Sequence, residues 1–340
     1  MVEVNKRNKP IIQSRSLDNS ILILGKAETN FKRNQIISIN NIDLCREYYG
    51  DSELTNAFIE CFNLDATNIY LCNCFLDSDY IDIIATISKY RFDFICPLFN
   101  FEDKYRIDLS RCFYLVELYS MYLNSQIIVT SKYADLFEDI EHYIDYVNSN
   151  YTDVMNGLTR PLLQGENLCY VTNNLKNYRY ANVVLASILS TCNLRYYPTV
   201  KDIGDVVYDL LNSDFYNRSI CYFAYNYITK TSVEHLFNFM TSNIPEKFIP
   251  IHLIIQKIRK ALNFEDFLGK LFNRYTEIQL NEYIEKTMSD FVGNLIQNYE
   301  LIEYHFNKSD KEMFVLDGYI TIDILPYNST ENIKVTIEVK

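Results

Sequence analysis

Glycine is scarce and tryptophan is absent, with 8 glycines and no tryptophan among 340 residues. Phosphate-binding loops need glycine because their backbone approaches the ligand closely, and neither Gly-x-Gly-x-x-Gly nor the P-loop pattern occurs here. The first predicted strand-to-helix turn contains only Gly25, so the dinucleotide-binding fingerprint is missing. The Gly-x-Ser-x-Gly nucleophile elbow is also missing. These absences argue against the common nucleotide-binding and acyl-transfer enzymes, and we expect no catalytic residues.

Long apolar runs are missing as well. No run approaches the ~18–20 residues that span a bilayer, so we expect no direct membrane insertion. Residues 1–19 lack the apolar centre of a secretory signal, and we expect none. Basic residues are in deficit, with 32 Lys and Arg against 44 Asp and Glu and a net charge of −12. Because an acidic chain repels a phosphate backbone, we expect no nucleic-acid partner.

The metal-binding residue types are scattered. Nine cysteines, an odd number at irregular spacing, are typical of reduced thiols in a reducing compartment and predict no disulfide framework. Cys72 and Cys74 form the one close pair, but no further soft ligands lie at zinc-site spacing, so buried strand thiols are the favoured interpretation. No His-x-x-x-His pair exists among the histidines, which are His142, His235, His252 and His305. We therefore expect no metal and no cofactor.

The length and the element pattern predict two domains. A single core rarely grows past about 250–300 residues, and 48% of this chain is hydrophobic. From residue 19 to residue 198, apolar strand-like runs alternate with helical patterns, which predicts βαβ units in a three-layer, mostly parallel α/β domain. Strands are predicted at 20–25, 68–72, 92–96, 126–130 and 168–172. Helices are predicted at 51–63, 80–90, 109–123, 136–147 and 180–189.

The last third predicts a mixed α+β domain. Helices are predicted at 200–211, 232–240, 250–262 and 278–299, and strands at 219–223, 319–324 and 333–339. The 278–299 helix is based on a single apolar stripe of Ile284, Met288, Phe291, Val292, Leu295 and Tyr299.

Both ends of the chain have a strand-like pattern. Residues 1–18 form a basic arm in which Val2 and Val4 alternate with polar residues. At the other end, apolar residues alternate up to the last residue but one, at Ile333, Val335, Ile337 and Val339. Because chain termini usually fray, this terminal strand needs a pairing partner.

Two charged clusters have competing interpretations. Asp77, Asp79 and Asp82 follow the second predicted strand, where α/β sheets place ligand sites, but acids at helix N-termini are ordinary capping residues, and capping is favoured. Lys257, Arg259 and Lys260 form the densest basic cluster of the last third. A solvated helix face is the favoured interpretation, and a docking face for an acidic partner is the alternative.

The order of these elements resembles the contractile tail sheath proteins of bacteriophages and related injection machines. The N-terminal part of the resemblance is carried by Ile21-Leu-Ile-Leu-Gly-Lys-Ala27, Ser52-Glu-Leu-Thr-Asn-Ala57 and Asp65-Ala-Thr-Asn-Ile-Tyr-Leu71. The C-terminal part is carried by a helix-like segment at 249–258, a second at 280–304 and the strands at 317–320 and 333–339. The family's Pro-Gly-Val-Tyr opening and its tryptophans are missing, which indicates a divergent, minimal member.

The resemblance implies a structural role. It implies a subunit that polymerises helically around an inner tail tube and contracts to drive the tube through the host envelope. Its partners would be copies of itself, the tail tube protein, and baseplate and tail terminator proteins. It would be located in the virion tail and assembled in the bacterial host cytoplasm.

The resemblance also implies a division of labour within the chain. It implies an N-terminal arm (1–18), an outer α/β domain (19–198) and an assembly domain (199–340) with a C-terminal strand arm (331–340). The arms would add strands to neighbouring subunits through Val2, Val4, Ile333, Val335, Ile337 and Val339. The alternative is an intramolecular hairpin with the 319–324 strand. Lys257, Arg259 and Lys260 would face the tube.

Two other functions stay open at this point. One is another structural tail protein, such as a terminator or baseplate component, which would form a closed ring. The less favoured one is an α/β small-molecule enzyme that uses the edge around Asp77, Asp79 and Asp82.

Overall fold

The structure is a computed structural model that divides into two compact units. It describes residues 15–16, 19–98, 109–123, 125–155, 158–161, 167–191, 203–210, 220–226, 230–234, 249–262, 274–308, 316–326 and 333–339. The described residues from Arg15 to Glu234 lie in the first unit, and those from Pro250 to Val339 lie in the second. In the described ranges no helix is long and apolar enough to cross a membrane.

The first unit alternates strands and helices. Its strands are β1 (Arg15–Ser16), β2 (Ser20–Gly25), β3 (Ile36–Ser38), β4 (Asn68–Asn73), β5 (Tyr90–Arg91), β6 (Phe94–Pro97), β7 (Gln126–Tyr133), β8 (Thr152–Met155), β9 (Leu158–Pro161), β10 (Leu168–Asn173), β11 (Tyr222–Asn226) and β12 (Lys230–Glu234). Its helices are α1 (Ile42–Tyr49), α2 (Glu53–Asn63), α3 (Asp79–Asp82), α4 (Ile84–Ile87), α5 (Leu109–Tyr122), α6 (Ile140–Tyr151) and α7 (Ala181–Thr191).

A six-stranded sheet forms the centre of this unit, in the order β10-β7-β6-β2-β4-β3. Five strands run parallel, and β3 pairs antiparallel with β4 at one edge. This confirms the predicted mostly parallel sheet. Three two-stranded pairs accompany it: β1 with β5 in parallel, and β8 with β9 and β11 with β12 antiparallel.

Strand β2 is buried on both faces, as its uninterrupted apolar run predicts. Leu22 and Leu24 belong to a core cluster that also contains Tyr119 of α5 and Tyr143 of α6. On α7 the ten residues 181–190 are all buried, and this helix contacts β2, β6, β7 and α2. None of the α7 residues belongs to the core cluster that contains residues of α5 and α6, so α7 packs on the other face of the sheet. Helices therefore cover both faces of the sheet.

The predicted helix at 80–90 is wrong as one continuous helix. The structure has α3 and α4 instead, followed by β5. The amides of Ile81 and Thr86 bond to carbonyls three residues earlier, a tighter turn than an α-helix has. Ile83 and Ile87 are nevertheless buried, and Ile84 is half-buried.

Two further helix predictions, at 200–211 and 232–240, are wrong where the structure describes them. Val207 N–H donates to the Asn174 carbonyl, and Lys176 N–H donates to the Asp205 carbonyl. Residues 230–234 form β12, and the remainder of 232–240 lies outside the described residues. In both segments the backbone groups are used by pairing with another part of the chain.

The compact units also divide later than the predicted domains. Cys221 N–H donates to the Tyr170 carbonyl, and the Cys221 carbonyl accepts from Thr172 N–H, so this segment extends the sheet beyond β10. The units therefore divide near residue 250, whereas the sequence predicted a division between 198 and 199. As a division of function, the predicted boundary stays a prediction.

The second unit combines two helices with an antiparallel sheet. Its elements are α8 (Ile249–Ala261), α9 (Arg274–Ser289), β13 (Ile296–Lys308), β14 (Leu316–Pro326) and β15 (Ile333–Val339). The sheet order is β13-β14-β15. The predicted helix at 250–262 and the predicted strands at 319–324 and 333–339 are confirmed. The predicted helix at 278–299 is too long, because the chain turns at Gly293, which has a φ of 83°.

Helices α2 and α7 are joined by a carboxylate. The two Glu60 side-chain oxygens accept hydrogen bonds from Arg179 N–H at 2.8 Å and Tyr180 N–H at 3.0 Å, directly before α7 begins. Ser187 Oγ also donates to Cys61 Sγ at 3.1 Å. Burial raises the pKa of Glu60 from 4.5 to about 7, although the two backbone hydrogen bonds oppose this shift.

The raised pKa of Glu60 predicts a pH dependence of stability. The folded state binds the proton more tightly, so this contribution is complete below about pH 4.5 and is lost as pH rises to about 7. We expect the loss to be about 1–3 kcal/mol and to be smaller in Glu60→Gln, which imitates the protonated acid. Urea unfolding of the wild type and of the variant at pH 5 and pH 8 measures this loss of unfolding free energy. Glu117→Gln, on an exposed residue of α5, is the control. If the unfolding free energy changes equally with pH in both variants, Glu60 is not the source of the pH dependence.

Candidate functional site

The predicted acidic edge of the sheet is an ion-paired network. The Asp79 side chain is 0% exposed and accepts from Arg33 Nε at 2.8 Å and Arg33 Nη2 at 2.7 Å. It also accepts from Asn34 Nδ2 at 3.1 Å and Leu76 N–H at 2.9 Å. Burial alone would raise the pKa of this carboxyl, but the hydrogen bonds from Arg33, Leu76 and Asn34 outweigh burial and lower it. Asp79 is therefore a buried, ionised structural carboxylate.

The neighbouring polar side chains hold the loop that follows β2. Asn73 Oδ1 accepts from Ala27 N–H, and Asn73 Nδ2 donates to the carbonyls of Thr29 and Phe31. Lys26 forms an ion pair with Asp77, and its backbone N–H donates to Glu53. These bonds tie the loop to the end of β4 and to α2.

This network corrects the interpretation of the three acids. Asp77 and Asp79 are ion-pair partners of basic residues, and Asp82 is exposed on α3. Capping had been the favoured interpretation, but the capping position of α3 is Ser78, which makes no side-chain capping bond. Where β2 and β4 end, Asp77 and Asp79 are therefore bonded to the protein's own basic side chains.

In the described part of the chain the thiols are buried, and they form no metal-binding group with the histidines. Cys72 and Cys74 are buried, as are the other described free cysteines: Cys45, Cys61, Cys96, Cys169 and Cys221. Within the described residues, no group of three or more His, Cys, Asp or Glu is arranged to hold a metal ion. His142 pairs with Asp139 on the surface, whereas His235 and the side chain of His305 lie outside the described residues.

The basic residues of α8 are half-buried and not fully solvated. Lys257, Arg259 and Lys260 follow eight consecutive buried residues at 249–256, so burial extends around this helix beyond its isoleucines. His252 Nε2 lies 2.7 Å from Gln256 Nε2. Burial, with a smaller contribution from Arg259, lowers the pKa of His252 to about 3, so this histidine is neutral.

The C-terminal strand pairs within its own chain. In the register of β14 and β15, Ile333 faces Ile324, Val335 faces Ile322, and Ile337 faces Ile320. Val339 faces Gly318. This is the hairpin arrangement that the sequence left as the alternative. β15 is at one edge of its sheet and β13 at the other. Val2 and Val4 lie outside the described residues.

Sequence reasoning missed Arg33, Asn73 and Glu60. Arg33 lies in the loop before β3, Glu60 lies within α2 and Asn73 ends β4, and the partners of each lie far away along the chain. Asn73 gave one usable signal, because it directly follows an apolar strand at the carboxyl edge of the sheet. Arg33 and Glu60 gave none.

The buried carboxylate of Asp79 should contribute more to stability than an exposed one. Asp79→Asn removes the charge from four hydrogen bonds, and we expect the free energy of unfolding to fall by about 2 kcal/mol. The matched control is Asp51→Asn, because Asp51 is 86% exposed and lies 3.8 Å from Arg46. That variant should change the free energy by less than about 0.5 kcal/mol. Urea unfolding compares them, and equal losses would contradict the buried ion pair.

The whole chain is similar in structure to tail sheath proteins of contractile systems. A sheath tail protein from Desulfitobacterium hafniense matches with a TM-score of 0.65 and 12% identity, over 100% of both chains. A sheath tail protein from Listeria innocua matches with a TM-score of 0.64 and 12% identity, over 96% of both chains. The sheath of an extracellular contractile injection system in its contracted state matches with a TM-score of 0.62 and 12% identity, over 99% of this chain and 92% of the other.

The sequence comparisons give no match to any protein-family model or curated protein. At 10–12% identity the structural likeness is one of fold. It confirms the resemblance inferred from the order of the elements: this chain has the fold of contractile tail sheath proteins.

Proposed function

We propose that this protein is the subunit of a contractile tail sheath that polymerises helically around an inner tube. The observation that carries the proposal is the fold likeness to sheath proteins over essentially the full length of both chains. The role is structural, with no catalytic step. Its partners are copies of itself, a tail tube protein, and baseplate and terminator proteins. It acts in the virion tail and is assembled in the host cytoplasm.

The antiparallel sheet of the second unit supports assembly by strand addition. Among the described strands, β13 and β15 are the edges of this sheet, and an edge strand offers a row of backbone donors and acceptors to another chain. A contact between different surfaces of identical subunits produces a helical polymer when its rotation does not close a ring. Contraction is then a change from one lattice of such contacts to a second with lower free energy.

Negative-stain electron microscopy of the purified protein, at low and high concentration, tests the proposal. Helical tubes or cogwheel rings with a hollow centre are the expected result. Closed rings that never stack into tubes, even with tail tube supplied, would instead indicate a terminator or baseplate component. Particles that stay monomeric with tail tube present would contradict a sheath role.

The terminal arms are proposed to exchange between subunits in the assembled sheath. In the 331–340 arm, β15 would pair with β14 of a neighbouring subunit in the register it has with its own β14. The N-terminal arm, with Val2 and Val4, would add a further strand. Backbone hydrogen bonds supply the affinity of such an exchange, and the alternating Ile333, Val335, Ile337 and Val339 supply its register.

A disulfide at facing positions separates exchange from the hairpin. Ile322 and Val335 face each other, and facing residues of antiparallel strands lie within disulfide range. In oxidised tubes of Ile322→Cys with Val335→Cys, exchange predicts a covalent ladder on non-reducing gels. The control is Leu301→Cys with Ile322→Cys, which links facing positions of β13 and β14 within one chain. Tubes that show only cross-linked monomers would contradict exchange.

Lys257, Arg259 and Lys260 are proposed as the tube-facing surface. Replacing all three residues with Glu should weaken co-sedimentation with the tail tube at least tenfold. The remaining co-sedimentation should no longer depend on salt concentration. Lys286→Glu, on an exposed residue of α9, is the control. Circular dichroism verifies the fold, and unchanged co-sedimentation of the folded variant would contradict this surface.

A further inference from the structure

The turn between α9 and β13 is where the local sequence pattern and the tertiary structure disagree. Leu280, Ile284 and Met288 form the buried stripe of α9. At 100° per residue, Phe291, Val292, Leu295 and Tyr299 fall within about 80° of Ile284, while Asp290, Gly293 and Gln297 fall on the opposite side. Two residues depart from this pattern, because polar Asn298 lies on the stripe and apolar Ile296 lies off it. Apart from Ile296, the apolar residues therefore follow a helical pattern through Tyr299, yet α9 ends at Ser289. Such conflicts concentrate at strained or functional positions.

The observed turn is closed by its own backbone. The Phe291 carbonyl accepts from the N–H groups of Asn294, Leu295 and Ile296 at 3.1, 2.9 and 3.2 Å. Gly293 N–H donates to the Ile296 carbonyl, and Asn294 Nδ2 donates to the Asp290 carbonyl. Gly293 has a φ of 83°, which side chains other than glycine and asparagine rarely adopt. A glycine in a chain with only eight of them thus sets this turn.

The start of β13 is weakly held on the sheet side. Ile296 faces Pro326, which has no N–H to donate, and the register shifts between Ile296 and Asn298. Val292 is 37% exposed in the turn, although its position on the helical pattern is apolar. Leaving the observed conformation therefore breaks few sheet hydrogen bonds and allows the exposed Val292 side chain to be covered. It also moves Ile296, which is 0% exposed in the observed conformation, off the apolar stripe, so the two states bury different apolar side chains.

We propose that residues 290–299 are a two-state element that converts between the observed turn and strand and a helical extension of α9. In the second state α9 continues to Tyr299, and Val292, Leu295 and Tyr299 join its apolar stripe. The first pairs of β13 leave β14, while the pairing from Glu300 to Lys308 is kept. A helix rises about 1.5 Å per residue and a strand about 3.3 Å, so the conversion shortens the connection between α9 and the sheet.

The inference rests on the second unit alone and does not depend on the proposed sheath role. In a subunit that changes lattice, such an element would let the three-stranded sheet change its distance from α9. Protein packings of this kind switch between discrete arrangements, which makes the element a conformational device and not a flexible linker.

Hydrogen–deuterium exchange of the full chain tests the two states with a matched pair of variants. Gly293→Ala disfavours the positive φ and favours helix, whereas Gly293→Asn tolerates the positive φ and is a poorer helix former. In Gly293→Ala we expect exchange across 290–299 to slow at least fivefold, which corresponds to the about 1 kcal/mol between Gly and Ala in a helix. Exchange at Ile324 and Leu325, which face Tyr299 and Asn298, should become faster. Gly293→Asn should keep the wild-type pattern.

A second variant keeps the test decisive if Gly293→Ala unfolds. Asn294→Ala removes the bond to the Asp290 carbonyl and raises helix propensity without changing the glycine. It should shift exchange in the same direction, with helical 13Cα chemical shifts at Val292 and Leu295. Faster exchange across 290–299 in the alanine variants, or no change in either, would overturn the proposal.

Discussion

Burial of β2 on both faces is the constraint on which the first unit depends. All six residues of this strand are buried, and it pairs in parallel with β4 on one side and β6 on the other. A strand in this position needs an apolar residue at every position facing a helix layer, which the run from Ile21 to Leu24 supplies. Because parallel neighbours need crossover connections, the helices must lie on the faces of the sheet, and the layered architecture follows.

Parallel pairing also brings the carboxyl ends of β2 and β4 together, and this chain fills that edge with its own polar groups. Asn73 binds the backbone of the loop after β2. The ionised Asp79 carboxylate forms an ion pair with Arg33 and also accepts hydrogen bonds from a backbone N–H and an asparagine amide. Buried charges are tolerated when they are paired and fully hydrogen-bonded. The same edge that holds ligands in other α/β folds is used here to fix a loop, which agrees with a structural role.

The second unit follows a different physical rule. Its sheet is antiparallel, and β14 and β15 carry the clean alternation that predicted them, so both were found within a few residues of their ends. β13 was not predicted, because the sequence pattern and the resemblance assigned a helix to its first residues. What the alternation could not give was the identity of the partner. The same pattern of Ile333, Val335 and Ile337 satisfies a strand of its own chain or an identical strand of a neighbour, because both present the same backbone groups.

The sequence by itself determined the elements that periodicity and continuous apolar runs define: the strands of the parallel sheet, α2, α8, β14 and β15. Tertiary structure alone decided which segments with a helical pattern became something else. Residues 203–207 gave their backbone groups to the 174–176 segment, and residues 296–299 gave theirs to β14. It also decided the partners of Arg33, Asn73 and Glu60, which lie 42 to 120 positions away along the chain. The physical reason is that periodicity records which side of an element is apolar, whereas long-range hydrogen bonds and ion pairs depend on which residues the completed fold brings together.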